Sequence, residues 1–70
     1  MTASIEITVN GERRTVAGEA TVGDLLRELG LRPEIVAVEI NRRLVPRVAR
    51  DERVLERGDE VELVTLVGGG

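Results

Sequence analysis

Seventy residues with a net charge of -3 bound the chain to one small domain, with neither the basic footprint of a nucleic-acid binder nor an acidic tail. Cysteine, histidine, tyrosine, tryptophan, phenylalanine and lysine are all absent, and all 10 basic residues are arginine. That inventory excludes disulfide staples and thiolate metal sites and leaves almost no catalytic toolkit, because Ser4 has no histidine or lysine to activate it.

The first predicted element is a half-buried strand, in which Ile5, Ile7 and Val9 alternate with Glu6, Thr8 and Asn10. Asn10-Gly11 tolerates the positive φ of a tight turn, and Arg13 to Ala17 return as a second strand. A strict two-residue turn would set Val9 against Glu12 and Ile7 against Arg14, placing charge on the apolar face. A wider or bulged loop is therefore expected.

A helix follows, capped by Thr21 with Asp24 as an acidic partner three residues on. Val22, Leu25, Leu26 and Leu29 form its apolar stripe, Gly30 suits a left-handed C-cap and Pro33 stops continuation. The run Ile35 to Asn41 is rich in β-branched residues and predicts a central strand buried on most of both faces. Arg42-Arg43 read as a turn, Leu44-Val45 as a short pairing and Pro46 to Arg53 as an irregular segment, with Val54-Leu55 anchoring it to the core. Gly58-Asp59 supply the last turn before a final strand from Glu60 to Val67. In that strand Val61, Leu63, Thr65 and Val67 share one face, while Glu62, Val64 and Leu66 share the other. One of the two sets is expected to be open to solvent unless a loop or the helix covers both.

The five arginines at 42, 43, 47, 50 and 53 are read as a solvated turn, in preference to a dock for an acidic rim. Without aromatic stacking residues, RNA recognition is a poor reading. No apolar run approaches the roughly 20 residues of a membrane span, and Met1-Thr2-Ala3-Ser4 lacks signal-peptide character, so a cytoplasmic location is expected.

The chain ends Val67-Gly68-Gly69-Gly70. One reading makes the glycines a working ribbon that threads a narrow channel and presents a carboxylate. The other makes them a frayed or cloned end.

The order of elements, the segments Val9-Asn10-Gly11-Glu12, Thr21-Val22-Gly23-Asp24-Leu25-Leu26 and Val36-Ala37-Val38-Glu39-Ile40-Asn41, and then Leu44-Val45-Pro46-Arg47, Gly58-Asp59-Glu60-Val61-Glu62-Leu63-Val64 and the glycine end, resemble the ThiS family. These are sulfur carriers of thiamine biosynthesis in the ThiS/MoaD superfamily of ubiquitin-like proteins. The resemblance implies an α+β, β-grasp fold: one main helix on a mixed sheet of four or five strands, with the first and last strands parallel at its centre. It implies one domain over residues 1–67 and a flexible glycine tail over 68–70.

By the same resemblance the protein is no enzyme but a co-substrate, binding no cofactor itself. A ThiF-type adenylating enzyme would use ATP and Mg²⁺ to activate the Gly70 carboxylate. A sulfur donor such as a cysteine desulfurase system would then displace AMP, and the thiocarboxylate would serve a ThiG-type thiazole synthase. Gly68 and Gly69 would thread the partner's active site, while Val64, Leu66 and Val67 would dock. The family's ending is a glycine pair, so a third glycine leaves open whether Gly70 or Gly69 carries the reactive carboxyl. Sibling carriers for molybdopterin synthase, tRNA thiolation or cysteine synthesis, and an inert ubiquitin-like binding module, are the alternatives. The missing lysines exclude lysine-linked self-chains.

Overall fold

The first hairpin is tighter than its charge pattern suggests. In the computed structural model, which describes residues 3–66, β1 (Ser4–Val9) and β2 (Glu12–Ala17) pair antiparallel with Val9 opposite Glu12, Ile7 opposite Arg14 and Ile5 opposite Val16. The wider or bulged loop does not form. Asn10 at φ 50° and Gly11 at φ 85° make a two-residue turn, left-handed at both positions, whose twist matches that of the strands. The register is tolerated because the facing charges stay at the rim: Arg14 Nη2 reaches Glu28 Oε1 of the helix at 2.8 Å, and Glu12 is exposed.

The helix, α1 (Val22–Glu28), starts and stops by local chemistry. The Thr21 hydroxyl accepts the Asp24 N–H at 3.1 Å, and the Asp24 carboxylate accepts the Thr21 N–H at 3.0 Å. An aspartate thus closes the reciprocal cap that more often uses glutamate. At the other end Gly30, at φ 72°, donates to Arg27 O and Leu31 donates to Leu26 O, the paired bonds of a Schellman stop. Val22, Leu25 and Leu26 are buried, whereas Leu29, at the cap, is only partly so.

β3 (Val36–Ile40) begins after a short 3-10 turn at Pro33–Ile35. It buries Val36, Val38 and Ile40 against the helix, while Ala37 is half-buried and Glu39 exposed. The two-faced central strand expected here is therefore one-faced, because a single helix covers a single face of the sheet. The turn after it is Asn41-Arg42, both at positive φ (52° and 70°), rather than Arg42-Arg43, and Arg43–Leu44 forms β4. Leu55, 1% exposed, anchors the long connection, its N–H bonded to Ala20 O at 2.8 Å.

β5 (Glu60–Thr65) lies in the middle of a five-stranded mixed sheet ordered β2-β1-β5-β3-β4. It runs parallel to β1 through Thr8–Glu60 and Val9–Val61, and antiparallel to β3 from Val36–Thr65 to Ile40–Val61. The core between sheet and helix is aliphatic: Ile7, Val16, Val22, Leu25, Leu26, Val36, Val38, Ile40, Val45, Leu55 and Val61. Each fully buried side chain of this kind contributes roughly 1.5–3 kcal/mol. Among the described residues no helix is long and apolar enough to cross a membrane.

The arginine-rich segment is the solvated turn expected of it only in part. Arg42, Arg43 and Arg47 are exposed, but Arg50 is buried and Arg53 half-buried. Arg53 Nη2 lies 3.2 Å from Asp59 Oδ2, and its Nη1 also bonds Val54 O. Asp59, 4% exposed, further accepts the Glu56 N–H at 2.9 Å and the Asn41 side-chain amide at 3.1 Å. A long stretch with little regular structure needs such ties to satisfy its backbone and stay on the core.

Candidate functional site

The end of β5 overhangs its neighbour. β1 has already turned at Asn10, and the Asn10 side chain takes the place of a strand: its amide donates to Leu63 O at 3.2 Å and its oxygen accepts the Leu63 N–H at 2.8 Å. Beyond that bridge β5 is held from the β3 side, where the Leu66 N–H donates to Ile35 O at 2.5 Å. Strand alternation turns the Thr65 N–H and C=O the other way, past the end of β1. The expected site residues Val67, Gly68, Gly69 and Gly70 lie outside the described residues.

The strand separates its two predicted sets of side chains. Val61 is buried and Leu63 half-buried under the helix, while Val64 and Leu66 are 58% and 54% exposed on the outer face. Val64 and Leu66, expected to dock a partner, are thus open, beside half-buried Ala37, which pairs with Val64. Further along the same face Glu39 stands directly opposite Glu62, both exposed, with 66%-exposed Leu44 opposite Glu39 on its other side. Like charges placed directly across a ladder are destabilising. The outer face therefore combines an apolar spot at the carboxyl end of β5 with an acidic pair that has no ion-pair partner among the described residues.

No other part of the described chain assembles chemistry. A cavity of about 320 Å³ lies between the first turn, the end of the helix and β5, lined by Val9, Asn10, Arg14, Leu29, Leu31 and Leu63 among others. A second, of about 480 Å³, lies beside Leu44, Val45, Pro46 and Ala49. Neither brings a nucleophile to a base. The displaced ionisable groups have structural causes. The Thr21 N–H, then Arg27, hold the Asp24 carboxyl below its usual range, and Asp24 in turn raises Arg27. Burial, then the charge of Arg47, pushes Arg50 down. Among the described residues no group of three or more metal-binding side chains exists.

Sequence reasoning missed the Asn10 bridge, the opposed glutamates and the burial of Arg50. Each depends on which strands become neighbours. The nearest signal was the alternation of Glu60 and Glu62 with apolar residues, which marked an outer face without saying what stood across from it.

Comparison with known proteins adds relatives to this geometry. A family model described as the ThiS family matches residues 7–70. The chain is 38% identical over 66 residues to a thiazole synthase of Paramagnetospirillum magneticum, covering 94% of this chain and 20% of that protein. It is 30% identical over 66 residues to the sulfur carrier protein ThiS of Escherichia coli, covering 94% of this chain and 100% of that one. The crystal structure of a thiamine biosynthesis protein, ThiS, from Geobacter metallireducens superposes with a TM-score of 0.81 at 38% identity, over 94% of this chain and 100% of that chain. The chain thus spans 20% of the length of the thiazole synthases it matches and the whole of a sulfur carrier.

Proposed function

The chain belongs to the ThiS family, and from that membership we propose that it carries sulfur for thiazole formation in thiamine biosynthesis, as a protein co-substrate rather than a catalyst. The observation that carries this reading is the family match running through Gly70, supported by the open Val64 and Leu66 on the outer face of β5 and beside it.

In this reading the terminal carboxylate, on Gly70, attacks the α-phosphorus of ATP bound with Mg²⁺ in a ThiF-type enzyme, and pyrophosphate leaves. A donor persulfide then attacks the acyl carbon and AMP leaves, giving an acyl disulfide. A thiol attacks the donor's sulfur, forms a disulfide with it and so reduces the S–S bond, and the thiocarboxylate is released. Thiazole synthase takes up that sulfur. The thiazole synthase of Paramagnetospirillum magneticum supports such a partner, because that protein carries a similar 66-residue segment of its own. Gly68 and Gly69 suit passage through a narrow channel, since they carry no side chain to collide. Val64, Leu66 and Val67 supply apolar docking, with Glu39 and Glu62 meeting basic groups around the partner's channel.

The test is mass spectrometry of the intact chain after incubation with the adenylating enzyme, ATP, Mg²⁺ and a sulfide source. The chain gains the oxygen-to-sulfur mass difference, and deletion of Gly69 and Gly70 abolishes the gain. No gain in the full-length chain refutes the carrier reading. Thiazole formation by the thiolated product, against its failure to support molybdopterin synthesis, assigns the pathway.

A further inference from the structure

The short segment Pro33–Val36 is the surface on which β5 ends, and all four of its carbonyls are engaged. Arg50 Nη1 donates to Pro33 O at 2.8 Å and Arg50 Nη2 to Val36 O at 2.6 Å. Arg47 Nη2 donates to Glu34 O at 2.9 Å. The remaining carbonyl, Ile35 O, receives the N–H of Leu66, the last described residue before Val67 and the glycines.

Arg50 is an unusual choice for this place. It is 7% exposed, its charge faces carbonyls and no carboxylate among the described residues, and its Nε has no hydrogen-bond partner there. Removing a cation from water costs several kcal/mol, and well-packed apolar residues often replace buried charges without loss of stability. Stability alone therefore does not explain the residue. What a planar guanidinium supplies, and an apolar side chain does not, is a rigid fork of donors. Gripping Pro33 O and Val36 O at once fixes the peptide planes between them, including the one that bears Ile35 O. The main chain of Arg50 is itself tied down, its carbonyl accepting the Gly23 N–H of the helix at 3.1 Å.

We propose that Arg50, assisted by Arg47, is a positioning residue for the carboxyl end of the chain. By holding the Pro33–Val36 carbonyls it aims Ile35 O at the Leu66 N–H, and so sets the register in which the chain leaves the sheet toward a partner's active site. The geometric part stands without the carrier reading; the functional consequence rests on it.

Two measurements on the full chain separate these parts. The first is amide exchange by NMR. In Arg50→Met the Leu66 amide exchanges about tenfold faster, as expected when a charge-assisted hydrogen-bond fork is lost. The Asn41 amide, bonded to Glu60 O at the opposite end of β5, is unchanged. Arg50→Lys, which keeps a charge but offers no fork, recovers only part of the protection. Arg47→Gln, at an exposed position, accelerates Leu66 less and keeps the test open if Arg50→Met fails to fold.

The second measurement is steady-state adenylation, in which Arg50→Met raises the KM for the carrier about tenfold and leaves kcat unchanged. Leu55→Ala, a core substitution that lowers stability elsewhere, leaves the KM unchanged well below its melting temperature and does not accelerate Leu66 selectively over Asn41. Equal acceleration of Leu66 and Asn41, or an unchanged KM in Arg50→Met, overturns the proposal. If the unaltered chain is not adenylated at all, the carrier reading fails, and the exchange data still decide whether the clamp exists.

Discussion

Replacing Asn10 tests the idea that one side chain substitutes for a missing stretch of strand. Asn10→Ala removes both hydrogen bonds to Leu63 and puts a plain Cβ residue at φ 50°. Each hydrogen bond contributes about 0.5–1.5 kcal/mol, and the left-handed backbone costs an ordinary residue about 1–2 kcal/mol. The alanine variant should therefore lose about 2–5 kcal/mol, toward the lower end because the bonds are solvent-exposed. Asn10→Gly loses the same bonds but tolerates the backbone, so it should lose about 1–3 kcal/mol.

Against a total stability of roughly 4–10 kcal/mol for a chain of this size, the difference is measurable. Urea denaturation gives both values, with an unchanged m-value and, for each kcal/mol lost, a fall in Tm of about 4–8 °C. If glycine proves as destabilising as alanine, the backbone argument is wrong. If both variants lose less than about 0.5 kcal/mol, the bridge to Leu63 contributes nothing.

Five further substitutions have outcomes that follow from named contacts. Asp24 has its pKa lowered from 3.8 in the folded chain, chiefly by the Thr21 N–H. Its contribution is thus complete above the unfolded value and is lost as pH falls through the folded one; Asp24→Asn should flatten the acid limb of a stability–pH curve below about pH 4. Gly18→Ala should destabilise by about 1–3 kcal/mol in thermal melts, since its Cβ would meet the Ala3 carbonyl, which is backbone. Gly23→Ala meets only the Asp51 carboxylate, on an exposed side chain free to swing away, and should be neutral or up to about 1 kcal/mol stabilising. On the outer face, Leu66→Asp should abolish thiolation while leaving the melting temperature within about 4 °C; Glu39→Gln should stabilise by about 0.2–1 kcal/mol yet raise the KM for the adenylating enzyme.

The sequence was most informative where structure is local. Thr21, Asp24, Gly30 and the Val22-Leu25-Leu26 stripe specify the helix within ten residues, and the chain builds it there. Alternation in β1 and β5 likewise marked which residues face the helix. The failures share one cause, which is that they turn on contacts between distant positions. Arg14 reads as an obstacle to a tight turn because its partner, Glu28, lies 14 residues away in the sequence. β3 looked two-faced because Val36 to Ile40 are mostly apolar, yet sidedness depends on how many layers cover a sheet. Arg50 and Arg53 read as solvated in sequence because their acceptors are mostly backbone carbonyls, which carry no sequence signal, whereas Arg47 is exposed as expected. At the site, Val64 and Leu66 were legible as one face; that Glu39 would stand against Glu62 was not, because register belongs to two strands and not to either alone.

The central position of β5 also bears on mechanics. A partner that draws on the carboxyl end applies force along the axis of a strand flanked on both sides. The bonds from Thr8 and Asn10 on one flank, and from Asn41 and Leu66 on the other, lie across that pull. They are loaded together in shear, instead of being unzipped singly as they would be at an edge. Under such a pull the body behind the strand therefore answers as one piece.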